Sequence, residues 1–221
     1  GGSDWRKIIV IETENKTQVG DTIVDVKFSG ISWKKSVGFY YSSYDKPDGS
    51  ELSAKTDQHK LYYHELGTPQ SQDQLVFGGK ESEKHRYIGG SVSDDGNFLF
   101  ISASNTTSGN KLFVQDLRVS NGAIETILGH EDSDTYPIEN VGDRLIMTTD
   151  LGAPNRKVVT ATYPNLAPEN WTDLIPETEN VLSVNTGGGY LFAEYMVDAL
   201  SKAYQYDYNG KLIREVALPG L

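Results

Sequence analysis

RYIGGSVSDDGNFLFISASNTTSGNKLFVQDL, Arg86 to Leu117, holds one whole repeating unit with its punctuation intact. Ile88 to Val92 reads as a short strand of Gly and small residues, a composition suited to strands that crowd together at the centre of a β-propeller. Ser93-Asp94-Asp95-Gly96-Asn97 is turn chemistry, since Asp and Asn tolerate the left-handed region and Gly enters it freely. Phe98 to Ala103 is a second strand, Ser104 to Asn110 a polar loop, and Lys111 to Leu117 a third strand with alternating sides. A fourth, Glu125 to Leu128, follows the Asn121-Gly122 turn. Four antiparallel strands in this order make one propeller blade.

The unit recurs. Third strands open on Lys7, Lys60, Lys111, Lys157 and Lys202, at spacings of 53, 51, 46 and 45 residues. Second strands keep step as Phe39-Tyr40-Tyr41, Phe98-Leu99-Phe100, Leu145-Ile146-Met147 and Tyr190-Leu191-Phe192. Two landmarks sharing a period of roughly 50 residues are the mark of four-stranded blades, and an evenly spaced β-sandwich is the competing architecture. The expected fold is all-β: a partial blade at 1–28, then blades at about 29–79, 86–129, 135–176 and 181–219. The first begins at its third strand, so further sequence is expected on both sides of the chain.

Composition narrows the function. Of 221 residues, 37% are hydrophobic, 10% aromatic and 22 are Gly, which suits a soluble all-β domain. A net charge of −11 with no Lys/Arg cluster makes nucleic acid an unfavourable partner. No apolar run approaches 18 residues and no basic-then-apolar leader occurs, so neither a membrane partner nor a targeting segment is expected of these residues. The absence of Cys excludes disulfides and thiol catalysis and leaves cytoplasm and periplasm equally open.

Six segments, GGSDWRKI (1–8), VKFSGISW (26–33), FYYSSYDKPDG (39–49), QHKLYYHELGT (58–68), HRYIGGSVSDDGNFLFIS (85–102) and APNRKVV (153–159), together resemble the N-terminal propeller of prolyl oligopeptidases, in that family's order. The resemblance implies a seven-bladed propeller, of which this chain supplies about four blades and a half. It would lie over an α/β-hydrolase domain that cleaves short peptides after proline. The resemblance also implies that Phe28 and Ile88 help to wall a peptide subsite, with a third wall position at Thr106 or Thr107; plain blade packing is the alternative for Phe28 and Ile88. An apolar wall accepts varied side chains without stranding polar groups.

No serine elbow of the form Gly-x-Ser-x-Gly occurs, so no catalytic residue is assigned and the chain alone is expected to be inactive. His59, His64, His85 and His130 read as surface or structural histidines. Glu131-Asp132-Ser133-Asp134 lacks the Gly turn and terminal Glu of a calcium loop, so it reads as a solvated turn, and neither metal nor cofactor is expected. A stand-alone propeller binding protein or glycan is the second reading. A propeller glycosidase is a third, disfavoured because Gly89, Gly90, Ser91 and Val181 to Val184 bring no acid to the centre.

The 16-residue insertion YDKPDGSELSAKTDQH, Tyr44 to His59, breaks the repeat and has little to bury, so it is expected to be the most mobile segment. In the family the matching loop borders the hydrolase, which makes Asp45, Asp48, Glu51 and Asp57 candidate partners for basic groups there. The open strand edges of an incomplete ring are expected to favour self-association.

Overall fold

The structure is a computed structural model that describes residues 4–45 and 56–218. Strand β1 (Trp5–Ile11) pairs antiparallel with β2 (Gln18–Lys27). Four four-stranded meanders follow among the described residues. The first is β3 (Ile31–Lys34), β4 (Gly38–Ser43), β5 (Lys60–Glu65) and β6 (Gln74–Phe77). The next is β7 (Tyr87–Val92), β8 (Phe98–Ser104), β9 (Lys111–Asp116) and β10 (Ile124–Leu128). Then come β11 (Thr135–Val141), β12 (Arg144–Thr149), β13 (Lys157–Thr162) and β14 (Thr172–Ile175). The last is β15 (Leu182–Gly187), β16 (Tyr190–Val197), β17 (Leu200–Asp207) and β18 (Leu212–Val216). Helical structure among the described residues is confined to 3-10 turns at Gln70–Gln72, Glu81–Glu83 and Pro168–Asn170, none of which the sequence pattern announces.

The turn chemistry is the one the residues dictate. Asp95 Oδ1 accepts from the Ser93 hydroxyl at 2.7 Å and the Asn97 amide at 3.0 Å, while Gly96 takes φ +76°. At the last hairpin Asp207 Oδ1 accepts from the amides of Asn209 and Lys211, both at 2.9 Å, around Gly210 at φ +80°.

The lysine landmark needs one correction. Lys60, Lys111 and Lys157 open their strands, but Lys7 and Lys202 lie inside β1 and β17, which begin at Trp5 and Leu200. For β17 the cause is local: Asp198 and Ala199 both take positive φ, 51° and 62°, so a two-residue turn lets pairing run to Val197 with Leu200.

The chain groups into two compact units, Gly1–Thr107 with Val114–Ile124, and Ser108–Phe113 with Glu125–Leu221. In the first, Ile8, Ile23 and Val26 of the two-stranded sheet bury against Phe39 and Tyr41 of β4. In the second, Ile146, Val158 and Ile175 bury against Leu182, Leu191 and Ala193. Each core joins alternate residues of one sheet to the facing residues of the next, as period-2 patterning requires.

A second device repeats where apolar packing ends. The residues just before a third strand bind the segment that enters the next sheet. His59 donates its amide to the His85 carbonyl at 2.8 Å, Asn110 to Ser133 at 2.9 Å, and the Asn155 carbonyl accepts from Leu182 at 2.8 Å. Asn110, fully buried, adds a peptide-like pair, its side-chain amide donating to the Thr135 carbonyl at 3.0 Å and its Oδ1 accepting from the Thr135 amide at 2.9 Å.

Two glycines mark where backbones come too close for a side chain. A Cβ on Gly38 would lie 2.4 Å from the His64 carbonyl oxygen, and one on Gly109, at φ +75°, would lie 1.9 Å from that of Glu131. Backbone oxygens cannot step aside as a flexible side chain can. Gly38→Ala and Gly109→Ala are each expected to lower unfolding free energy by about 1–3 kcal/mol, read by denaturant titration; unchanged midpoints would show that the backbone yields at these points.

Candidate functional site at one strand end

At the end of β2 the chain turns out through Phe28, whose φ of 51° breaks the extended run. Its ring is half exposed, at 50%. It meets Tyr44 edge-on, with centroids 6.3 Å apart at 85°, and Tyr87 at 6.1 Å. The buried Lys27 places Nζ 5.2 Å from the Phe28 ring centre and 5.3 Å from that of Trp5, so the cation is held by π faces. Tyr44 stacks on His59 at 4.3 Å, and its hydroxyl donates to the Arg86 carbonyl. Burial pushes the Tyr44 hydroxyl up to about 12.

His59 is the keystone under these rings. Its Nδ1 accepts the amide of Ile88 at 2.8 Å, which leaves Nε2 to carry the proton and donate to the Lys27 carbonyl at 2.9 Å. Protonating Nδ1 would set two donors against each other. Burial therefore holds the imidazole neutral, its pKa lowered to about 4 despite the opposing pull of the Lys27 carbonyl. One side chain thus joins the end of β2, the start of β5 and the start of β7.

Of the residues expected to wall a subsite, Phe28 stands at this end with an exposed face. Ile88 does not: it is 2% exposed, and its Cδ1 lies 3.0 Å from where a Cβ on Gly78 would stand. The exposed aromatic at that point is its neighbour Tyr87, 41% exposed, which adjacent-residue alternation turns to the other side of β7. Thr106 and Thr107 are exposed in the loop after β8, where the Ser104 hydroxyl accepts the Thr106 amide at 3.2 Å and donates to its carbonyl at 2.8 Å. Tyr87 pairs with Ser104, so this loop begins beside the aromatic group. Sequence reasoning missed Tyr44, Tyr87 and His59; the only local signal was that each flanks a strand end.

The acids of the insertion are placed in part. Asp45 holds Lys60 through both oxygens at 2.6 Å, and Asp57 lies 3.6 Å from Lys84. Both were expected to face basic groups on the hydrolase domain; within this chain they have these partners. Asp48, Glu51 and most of the insertion lie outside the described residues.

The other histidines are structural or exposed. His64 Nδ1 contacts Asp73 at 2.7 Å, and the opposite carboxylate oxygen accepts from the Tyr41 hydroxyl at 2.7 Å. Gln70 completes the network by binding the amide and carbonyl of Val24 at 3.0 and 2.9 Å, reproducing a strand partner across to β2. Burial, reinforced by Asp73, pushes the Tyr41 hydroxyl well above the usual phenol range. His85 is buried and contacts the Glu83 carbonyl, while His130 is exposed beside Asp132. Among the described residues no cluster of His, Asp or Glu is arranged to hold a metal.

A family model described as prolyl oligopeptidase, N-terminal beta-propeller domain, matches residues 1–221. The chain belongs to the prolyl oligopeptidase family. It is 52% identical over its whole length to a prolyl endopeptidase of Elizabethkingia miricola and 51% identical to that of Elizabethkingia meningoseptica, spanning 31% of each. A solved prolyl endopeptidase structure superposes with a TM-score of 0.89 at 32% identity, over all of this chain and 32% of that one. Prolyl oligopeptidase B from Galerina marginata, bound to a 25mer macrocyclization substrate, gives 0.85 at 27% identity, over 98% of this chain and 32% of its own. The family assignment makes the meanders blades of a partial β-propeller, as the repeat implied.

The neutral state of His59 sets a pH dependence. Its pKa is about 4 folded against 6.5 for the free side chain, so the unfolded chain binds the extra proton between these values. The contribution of His59 is complete above pH 6.5, falls as pH drops, and is gone below about 4, a swing on the order of 3 kcal/mol. Denaturant titrations of the parent and His59→Gln from pH 7 to about pH 4 are expected to show a flatter pH profile in the variant. Parallel profiles would contradict the assignment.

Proposed function

We propose that this chain is the propeller part of a serine-type prolyl endopeptidase, serving to admit short proline-containing peptides and to wall their binding site beside a separate α/β-hydrolase domain. The observation that carries the reading is the 52% identity, across every residue of the chain, to an enzyme named prolyl endopeptidase of which the chain spans 31%. The peptide-bound Galerina relative supports a peptide as the ligand. The chemistry of the strand end suits that role. Phe28 and Tyr87 offer exposed ring faces that tolerate different side chains, and the Lys27 cation lies against the Phe28 and Trp5 rings.

Gating falls to the Tyr44–His59 loop. Asp45–Lys60 and Asp57–Lys84 pin its two ends to the propeller, and exposed pairs of this kind contribute only about 0.2–1 kcal/mol each. Blades at about 29–79, 86–129, 135–176 and 181–219, after a partial blade at 1–28, are the arrangement proposed for these residues. The serine, its base and its orienting acid belong to the hydrolase domain, and the propeller acts by selection.

In the protein that joins this chain to a hydrolase domain, Phe28→Ala and Tyr87→Ala are expected to raise KM for a chromogenic prolyl peptide by about 3- to 10-fold, with kcat little changed, as for lost uniform binding. The 221-residue chain alone is expected to release no product. Unchanged KM in both variants would remove the aromatic end from the substrate path, and turnover by the chain alone would overturn the division of labour.

A further inference from the structure

A cleft of about 650 Å³ opens at the opposite end of β4 and β5 from Phe28. One wall is the face of the β3–β6 sheet, with Lys34, Tyr40, Tyr63, Glu65 and Gln74; the other is Gln115 and the turn around Val119. Three features distinguish it from an ordinary gap between sheets.

Tyr40 is 4% exposed overall, but its hydroxyl keeps contact with the cleft and makes no hydrogen bond among the described residues. With its ring buried and its hydroxyl open to the cleft, Tyr40 can donate to a polar atom there. Burial pushes this hydroxyl up to about 12, so it remains a donor throughout the neutral range.

Lys34 and Glu65 stand in one row across three strands, Lys34 opposite Gly38 and Gly38 opposite Glu65. Their Cα atoms are therefore two strand spacings, roughly 10 Å, apart on the same face. Neither makes an ion pair among the described residues, and Lys34 Nζ rests 5.2 Å from the Tyr63 ring centre. Gly38 between them carries no side chain, and the Tyr63 hydroxyl occupies the space where its Cβ would be, at 2.5 Å.

The rest of the lining combines amides with apolar surface. Gln74 and Gln115 offer carboxamides, and Leu75 and Val119, 47% and 56% exposed, offer apolar surface.

A cation and an anion held apart on one face, with the Tyr40 hydroxyl in the adjacent row of the sheet and apolar surface nearby, match a zwitterion that carries an amide. We propose that this cleft binds a short peptide with free ends, its carboxylate beside Lys34, its ammonium beside Glu65 and a peptide carbonyl on the Tyr40 hydroxyl. Two residues of extended chain span about 7 Å, which leaves the lysine and glutamate side chains to close the remaining distance. A polyanion is disfavoured by a single free cation on a chain of net charge −11. The cleft lies at the other end of the strands from the aromatic group and does not depend on that group's role, so it constitutes a second peptide site.

The test uses the full chain with ¹³C-labelled tyrosine and follows the Tyr40 and Tyr63 resonances during titration with alanyl-leucine. Saturable shifts of both are expected, with a dissociation constant in the range of about 0.1–5 mM. Acetylating and amidating the peptide ends is expected to weaken binding at least about tenfold. Tyr40→Phe, which keeps the ring, and Lys34→Met, which keeps the stem, are each expected to weaken it about 3- to 10-fold. The proposal is overturned if neither resonance moves, if the blocked peptide binds as well as the free one, or if both variants bind as the parent does. Tighter binding of maltose than of the dipeptide would make the cleft a glycan site and would equally overturn it.

Discussion

The first unit depends on a buried imidazole that must stay uncharged. His59, just before β5, ties its own sheet to β2 and to the start of β7, and each contact uses a different part of the residue: the amide to His85, Nδ1 to the Ile88 amide, Nε2 to the Lys27 carbonyl. Sheets of a propeller share no ladder hydrogen bonds, so polar backbone where they meet is satisfied by single backbone bonds and by side chains. Imidazole does this well because its neutral form has one donor and one acceptor on opposite sides. The same burial that protects these bonds holds the ring neutral, and the Tyr44 ring stacked on it keeps water away.

Other positions solve the same problem with amides. Asn110 pairs with both backbone groups of Thr135, and Gln70 pairs with both of Val24. A carboxamide is a detached peptide unit, so it can extend a ladder across a gap that the main chain does not bridge. Each such bond is worth only about 1 kcal/mol net, but leaving the buried groups unmet would cost more, so the pairs act chiefly to exclude other docking registers. The apolar residues between sheets supply the cohesion and the amides supply the alignment.

Beside these buried contacts Phe28 and Tyr87 keep half-exposed rings outside the core. Pairs at the surface, Asp45 with Lys60 and Asp57 with Lys84, are weak by comparison and lie at the base of the longest insertion.

The order and kind of the strands were legible in the sequence, because alternation, Asp-Asp-Gly-Asn turns and the Lys-led third strands are local signals with a common period. The family was legible too, since its segments are contiguous and occur in order. The site was legible only in part. Phe28 is recognisable by its neighbours in sequence, but whether Ile88 or Tyr87 meets the Phe28 ring is decided by a single step of alternation, and that step is set by the β7–β8 register. Gln70 and Val24 are 46 residues apart, and Tyr44 and Arg86 are 42. No local pattern couples such pairs. Their meeting, the neutral state of His59 and the opening of the Tyr40 hydroxyl onto a cleft are properties of how the sheets are packed, which the amino-acid order permits but only the tertiary structure decides.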